Sequence, residues 1–282
     1  MAANPCYTKI SMFAGVDIGG SKTLVATFND GGIIAEKKRF HTPSDYTIFL
    51  EELKEVAASL QTNDFRAAGV AVPGKIDRHR GIGEYFGSLA WHNVPIQKDV
   101  EHIFHCPIVI ENDANLGAIS ESMLRPKDKR LLYVTISTGI GTGFVVNREL
   151  DPELQDSEGG QMAFEYHNKR TAWEDFASGR AITQRFGKKA VDIDDERTWK
   201  RIAHDLAIGF LELIAIAQPD IIVIGGSVGN YFDRFKIFLL EELRKYNNPL
   251  VPIPEFQTAT RPEEAVIYGC YDLAYKYYGT NN

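Results

Sequence analysis

The stretch FAGVDIGGSKTLVATF, Phe13 to Phe28, decides the fold. Phe13–Ile18 is rich in strand-forming residues, and Leu24–Phe28 is a second such run. Between them Gly19-Gly20-Ser21-Lys22-Thr23 makes a tight polar turn. Glycines let backbone N–H groups approach phosphate oxygens closely, and Ser, Lys and Thr add donors and charge. The GxxxxGK[ST] spacing of a Walker loop is absent, and a strand rather than a helix follows. Taken alone, the turn fits a phosphate cradle and a plain glycine-rich hairpin equally well.

The same pattern returns in LLYVTISTGIGTGFVV, Leu131 to Val146. Its turn, Ser137 to Gly143, is not a dinucleotide fingerprint. That motif opens a helix, whereas Phe144-Val145-Val146 continues as strand. Strand, polar turn and strand thus occur twice, each time heading a mixed α/β half, which predicts a duplicated architecture of two lobes facing a cleft. Two such turns in equivalent positions would close on one polyphosphate from both sides, so the pair is more specific than either member.

Around these hairpins the coarse pattern is regular. Phe49, Leu53, Val56, Ala57 and Leu60 recur at helical spacing behind a Ser44 cap. Ala68–Val72 and Ile108–Ile110 read as buried strands, with a helix over Asp113–Leu124. Helices are expected at Ala172–Phe186, Thr198–Ala217, Tyr231–Tyr246 and Glu263–Tyr278. A buried strand, Pro219–Ile224, ends at Gly225-Gly226, where a flat ring such as a purine could lie against the backbone.

The stretch VIENDANLGAIS, Val109 to Ser120, raises its own question. An apolar strand ends in Glu111-Asn112-Asp113-Ala114-Asn115, a poor ending if only stability matters. A carboxylate at a strand end beside a helix start is held rigidly, and a carboxamide both donates and accepts. That combination suits hydrogen bonding to a bound ligand and transfer of a proton. A helix cap built from Asn112 or Asp113 is the plainer alternative. Glu111 reads as a strand-end group and Asn115 as a brace.

Bulk properties bound the class. The chain has 282 residues, 44% hydrophobic and 24% charged, an ordinary globular profile. A formal charge of −7 argues against a nucleic-acid-coating surface. No apolar run approaches the ~18 residues of a membrane span, and Met1–Ser11 lacks the pattern of a secretory signal. The expectation is therefore a cytoplasmic protein that binds neither nucleic acid nor membrane. Residues 1–11 read as an extension or alternative start. Cys6, Cys106 and Cys270 form no close pair and read as reduced thiols.

The ordered set DIGGSKT (Asp17–Thr23), VPGKID (Val72–Asp77), ENDAN (Glu111–Asn115), STGIGTG (Ser137–Gly143) and IIVIGGSVG (Ile221–Gly229) resembles the ROK family of sugar kinases. The resemblance runs from about Phe13 to Tyr278. It implies the two-lobed α/β fold of the actin-like ATPases (ribonuclease H-like), with a central cleft. The smaller lobe would be residues 1–116 plus 265–282, and the larger 117–264. Family repressors carry an N-terminal DNA-binding domain, whereas the first motif here begins at Asp17. The resemblance therefore points to the kinase branch.

What it implies for single residues follows. Asp113 would be the catalytic base, and Asn112 a sugar ligand. Glu158, Gln161, Glu174 and, more weakly, Lys75 and Ser88 would also face the sugar, with Trp91 packing nearby. Asp17, Gly19, Gly20, Ser21, Lys22, Thr23, Thr138 and Gly139 would serve the phosphates, with Asp17 orienting Mg²⁺, and Gly225 and Gly226 would border the adenosine. The expected cofactors are ATP and Mg²⁺, the substrate a hexose phosphorylated at its 6-hydroxyl, and the assembly a homodimer. Kinases for fructose, N-acetylmannosamine or another amino sugar, a polyphosphate-using glucokinase and a non-catalytic sugar-binding regulator are the alternatives.

One departure from the family is informative. Its Glu-x-Gly-His box reads Glu158-Gly159-Gly160-Gln161 here, and the cysteine-rich zinc loop that should follow contains no cysteine. Glutamine can bond a hydroxyl but is a poor zinc ligand. No structural metal is expected. His167 reads as an ordinary loop histidine, and Phe164, Tyr166, Trp173 and Phe176 should hold the segment by packing.

Overall fold

The computed structural model describes residues 12–127, 129–246 and 248–279. The extension at 1–11, including Cys6, lies outside the described residues. The chain divides into two compact units: one runs to Asp113 and resumes at Ile267, and the other spans Ala114–Val266.

The first unit opens with a meander, β1 (Met12–Ile18), β2 (Lys22–Phe28) and β3 (Ile34–His41). The turn between β2 and β3 is an Asx type, with Asn29 Oδ1 accepting from the N–H groups of Gly31 and Ile33, both at 3.0 Å. Helix α1 (Tyr46–Ala58) is capped by Asp45, whose Oδ1 accepts from Thr47 N at 2.8 Å and Ile48 N at 3.1 Å. The cap expected at Ser44 thus falls one residue later. The Ser44 carbonyl instead accepts from Trp91 Nε1 at 2.9 Å. After β4 (Phe65–Val72) comes a three-stranded sheet, β5 (Lys75–Asp77), β6 (Ile82–Phe86) and β7 (Leu89–Val94). Helix α2 (Ile96–Phe104) and β8 (Ile108–Asn112) complete this part.

The main sheet has the order β3-β2-β1-β4-β8, with β4 parallel to both β1 and β8. The central strands are apolar along their length because both faces are covered. On one face Phe49, Leu53, Ile96, Val100 and Trp91 form the core. Trp91 is buried, as its packing role required, 4.6 Å from Phe49 between ring centres.

The second unit begins within α3 (Asp113–Met123). It continues through β9 (Leu131–Ile136), β10 (Ile140–Val146), the short β11 (Glu149–Leu150), and the hairpin β12 (Ala163–Tyr166) and β13 (Lys169–Ala172). Then come α4 (Trp173–Ala177), α5 (Gly179–Phe186), α6 (Glu196–Ala217), β14 (Ile221–Gly225), α7 (Gly226–Gly229), α8 (Phe232–Arg244) and β15 (Glu255–Thr258). Sequence periodicity fused α4 and α5. Ser178 separates them, extended at ψ 168°, with its Oγ accepting from Ala181 N at 3.3 Å to start α5.

This sheet has the order β11-β10-β9-β14-β15. Strand β9 pairs antiparallel with β10 and parallel with β14, which in turn is parallel to β15. The strand order and directions repeat those of the first sheet, so the duplication read from two hairpins extends to all five strands.

Helix α9 (Ala265–Tyr278) carries the chain back to the first unit. Ile267, Tyr271 and Ala274 pack there against Phe13, Leu24 and Phe28. The helix lies so close to the sheet that a side chain at Gly69 would collide with the Cys270 backbone.

Candidate active site

In the first unit the parallel register sets one edge of the sheet. Asp17 of β1 stands opposite Ala71 of β4, and Val72 opposite Asn112 of β8. The carboxyl ends of three neighbouring strands therefore carry Asp17, Pro73-Gly74 and Asn112-Asp113. In open α/β sheets this edge is where ligands bind.

Each group there is held by a neighbour. Asn112 Nδ2 donates to the Gly74 carbonyl at 3.0 Å, and the Asn112 N–H donates to Glu111 Oε1 at 2.7 Å. Glu111 is buried, and Arg78, just past β5, donates to both of its oxygens, Nε to Oε2 at 2.7 Å and Nη2 to Oε1 at 2.6 Å. Arg78 was not singled out in the sequence. A signal was present, since a buried glutamate at a strand end demands a cation.

Asp113 is partly buried at the first position of α3. Its charge is felt at Asp17. Loss of solvation, then repulsion from Asp113, pushes the Asp17 carboxyl up from 3.8 to about 7, while Arg39 pulls the other way.

The first glycine turn closes through Gly19 N donating to the Lys22 carbonyl at 3.0 Å. Thr42 Oγ1 donates to the Gly19 carbonyl at 2.8 Å and lies 2.9 Å from Thr23 Oγ1. Thr23 is wholly buried and supports the turn from beneath, whereas Ser21 and Lys22 are exposed on it. Ser88 stands against this turn, because a Cβ on Gly20 would collide with its Oγ. Lys75 is exposed and pairs with Glu84 at 3.0 Å.

In the second unit the glycine turn is braced by Glu174. Its Oε2 accepts from Ile140 N at 3.2 Å, and a Cβ on Gly139 would lie 2.5 Å from that oxygen. Gly179 N donates to the Ser137 carbonyl at 2.7 Å, tying the turn to the start of α5. Thr138 is exposed on it. Glu158 and Gln161 flank a single 3-10 turn, with Gln161 N donating to the Glu158 carbonyl at 2.9 Å and both side chains exposed. Gly225 ends β14, and Gly226 follows at φ +82°, where a side chain would meet the Ile136 carbonyl. Asn115 acts as the brace expected of it, with Nδ2 donating to the Gln155 carbonyl at 2.8 Å.

The segment standing in for a zinc loop is the β12–β13 hairpin, with His167 and Asn168 at its tip in the left-handed region. Tyr166 stacks on Phe176 at 4.1 Å and 7°, and its hydroxyl donates to Asp205 Oδ1 at 3.0 Å. Arg185 Nη1 donates to Asp205 Oδ2 at 2.8 Å. Among the described residues no three His, Cys, Asp or Glu side chains are grouped to hold a metal ion. Nor is any helix among them long and apolar enough to cross a membrane.

Comparison with known proteins bears on the family and the fold. The ROK family model matches residues 13–276. A glucokinase of Streptomyces coelicolor is 22% identical over 314 aligned positions, covering 92% of this chain and 96% of that protein. A xylose repressor of Caldicellulosiruptor bescii is 26% identical over 245 positions, covering 72% of this chain and 60% of that protein. The crystal structure of a ROK family glucokinase from Streptomyces griseus with glucose and AMPPNP superposes with a TM-score of 0.81 at 21% identity, covering 95% of this chain and 99% of that one. The fold is the two-lobed actin-like ATPase fold expected from the motifs. With nearly its whole length matched, the chain belongs to the ROK family.

Proposed function

We propose that this protein is an ATP-dependent sugar kinase that transfers the γ-phosphoryl group to the 6-hydroxyl of a hexose. The observation that carries the reading is the convergence of Asp17, Asn112 and Asp113 at the carboxyl ends of parallel strands, beside a glycine turn. Phosphoryl transfer asks a protein mainly for positioning and charge stabilisation, plus a group that takes the acceptor's proton.

In this reading Asp113 accepts the proton of the sugar hydroxyl. Its place at the end of a strand and the start of a helix fixes the carboxylate without a flexible stem. Asn112, held by Gly74, bonds a neighbouring hydroxyl. Glu158 and Gln161 contribute from the 3-10 turn. Glu174 has two tasks: Oε2 shapes the second turn, and Oε1, paired with Arg180 at 3.7 Å, would also meet the sugar. Gly19, Gly20, Ser21 and Lys22 serve the phosphates, with Thr23 as their support, and Thr138 and Gly139 of the second turn serve them too. Gly225 and Gly226 border the adenosine. Lys75 and Ser88 play secondary parts.

Asp17 fits a role beside Mg²⁺, because a carboxylate whose proton affinity is raised by loss of solvation and then by a neighbouring carboxylate is one that a dication would relieve. The metal supplies neutralisation of the phosphate charge when it arrives with ATP.

A second reading, a sugar-binding regulator without turnover, is favoured by the likeness to a xylose repressor. ADP release measured over a panel of hexoses, fructose and amino sugars, each with ATP or polyphosphate, separates the two. Turnover with at least one sugar is expected. Sugar binding without ADP release or phosphate transfer would establish the regulator instead.

A further inference from the structure

A pocket of about 360 Å³ lies between the β12–β13 hairpin and α6 in the second unit. Arg185, Arg197, Lys200, Arg201, His167 and His204 line it. Four of these come from α6 at spacings of three, four and seven residues, which place them on one helical face. Arg185 from α5 adds a guanidinium, and His167 from the hairpin tip an imidazole.

Three of the negative charges nearby are already engaged, and Glu241 acts on Lys200 as well. Asp205, the one carboxylate among the lining residues, is bonded by both Arg185 and Tyr166. Lys200 pairs with Glu196 at 2.5 Å and His204 with Glu242 at 3.0 Å. Arg197 and Arg201 have no carboxylate partner among the described residues. Arg201 lies over the Phe186 ring at 5.1 Å instead.

A solvated helix face accounts for a row of cations. It does not account for a concave volume bordered also by Arg185 of α5 and by the hairpin, in a chain with 38 acidic and 31 basic residues. Nor does it account for the position. Arg197, Lys200 and Arg201 occupy the first two turns of α6, the end where the helix dipole disfavours cations and favours anions. Such an arrangement is stabilised by an incoming anion.

We propose that this pocket binds a small anion carrying two or more phosphate groups. The volume exceeds what one phosphate fills. Guanidinium groups match phosphate oxygens with paired donors, and the two unpaired arginines are the ones whose donors are available. Condensed phosphate and a sugar bisphosphate share this chemistry. None of the lining residues belongs to the proposed kinase machinery, so the inference stands or falls separately from it.

The test is calorimetric titration of the full chain with tripolyphosphate, fructose 1,6-bisphosphate and orthophosphate near physiological ionic strength. It is repeated on the double variant Arg197→Glu, Arg201→Glu. Both residues are exposed, so the fold should survive, and Arg197→Gln alone serves if it does not. Wild type should bind one polyanion at least about tenfold tighter than orthophosphate, and the variants should lose about tenfold or more of that affinity. Preference for tripolyphosphate would identify a condensed phosphate, and preference for the bisphosphate a sugar ester. The glycine turns also suit phosphate, and they are untouched in the variants. Equal binding by wild type and variant, or no binding of either polyanion by wild type, would overturn the proposal.

Discussion

Arg78 grips both carboxylate oxygens of Glu111, at 2.7 and 2.6 Å, and Glu111 in turn accepts the N–H of Asn112 at 2.7 Å. A loop residue thereby fixes the backbone at the strand end that carries the proposed sugar ligand and base. Removing the cation leaves a carboxylate in a site where its side chain is only 4% exposed. Arg78→Ala should cost about 2 kcal/mol of stability, below the full cost of breaking a buried pair because Arg78 itself is partly solvated. It should also raise the sugar KM more than it lowers kcat. Denaturant unfolding and steady-state kinetics on one preparation check both, and Arg78→Lys should restore charge but not the two-point grip.

Asp113→Asn removes the proposed base while keeping size and helix-start hydrogen bonding. kcat should fall by roughly 10²–10⁴-fold, the usual contribution of a positioned base. Sugar affinity, measured by calorimetry, should change little. Wild-type turnover in the variant would reduce Asp113 to a helix cap.

Asp17 should impose a pH dependence. Its folded pKa, about 7, lies above the ordinary 3.8. The folded state therefore holds this proton more tightly than the unfolded chain. Its contribution to stability is fully present below about pH 4 and is lost as pH rises through about 7. Asp17→Asn should accordingly be more stable than wild type at pH 8, by about 2 kcal/mol after allowance for residual solvent contact, with the difference vanishing toward pH 4. A proposed partner of Mg²⁺ must be ionised to act, so kcat/KM for ATP should drop as pH falls below 7. Urea melts and pH–rate profiles read the two effects independently.

The five motifs and the alternating strand pattern were legible because each is local. A turn between two strands, or a carboxylate at a strand end, shows itself within a few residues. What escaped depends on partners far apart in sequence. The β5–β6–β7 sheet leaves no clear alternation in the sequence, since its strands are short and half exposed. Arg78 lies 33 residues from Glu111 and Thr42 lies 19 from Thr23, so neither pairing has a spacing to recognise. Thr23 itself was read as a phosphate donor, yet its burial could not be seen without β3 beside it. The break at Ser178 was hidden because apolar spacing runs on through it.

The β12–β13 hairpin should hold its place without zinc. Its anchor is Tyr166, stacked on Phe176 and bonded through its hydroxyl to Asp205, which Arg185 also grips. Trp173 Nε1 donates to the Asp205 carbonyl at 3.3 Å, so packing and hydrogen bonds meet at one point of α6. Tyr166→Phe keeps the stack and removes one hydrogen bond, at a cost of about 1 kcal/mol. Asp205→Ala leaves Arg185 without its carboxylate and should cost about 3 kcal/mol. A structural zinc contributes folding free energy directly, so a relative that depends on it loses stability when stripped. Here a chelator that spares Mg²⁺ should leave the melting temperature unchanged, and elemental analysis should find far less than one zinc per chain. A melting temperature that falls on chelation and returns with added zinc would mean that the Tyr166–Asp205–Arg185 cluster is not what secures the hairpin.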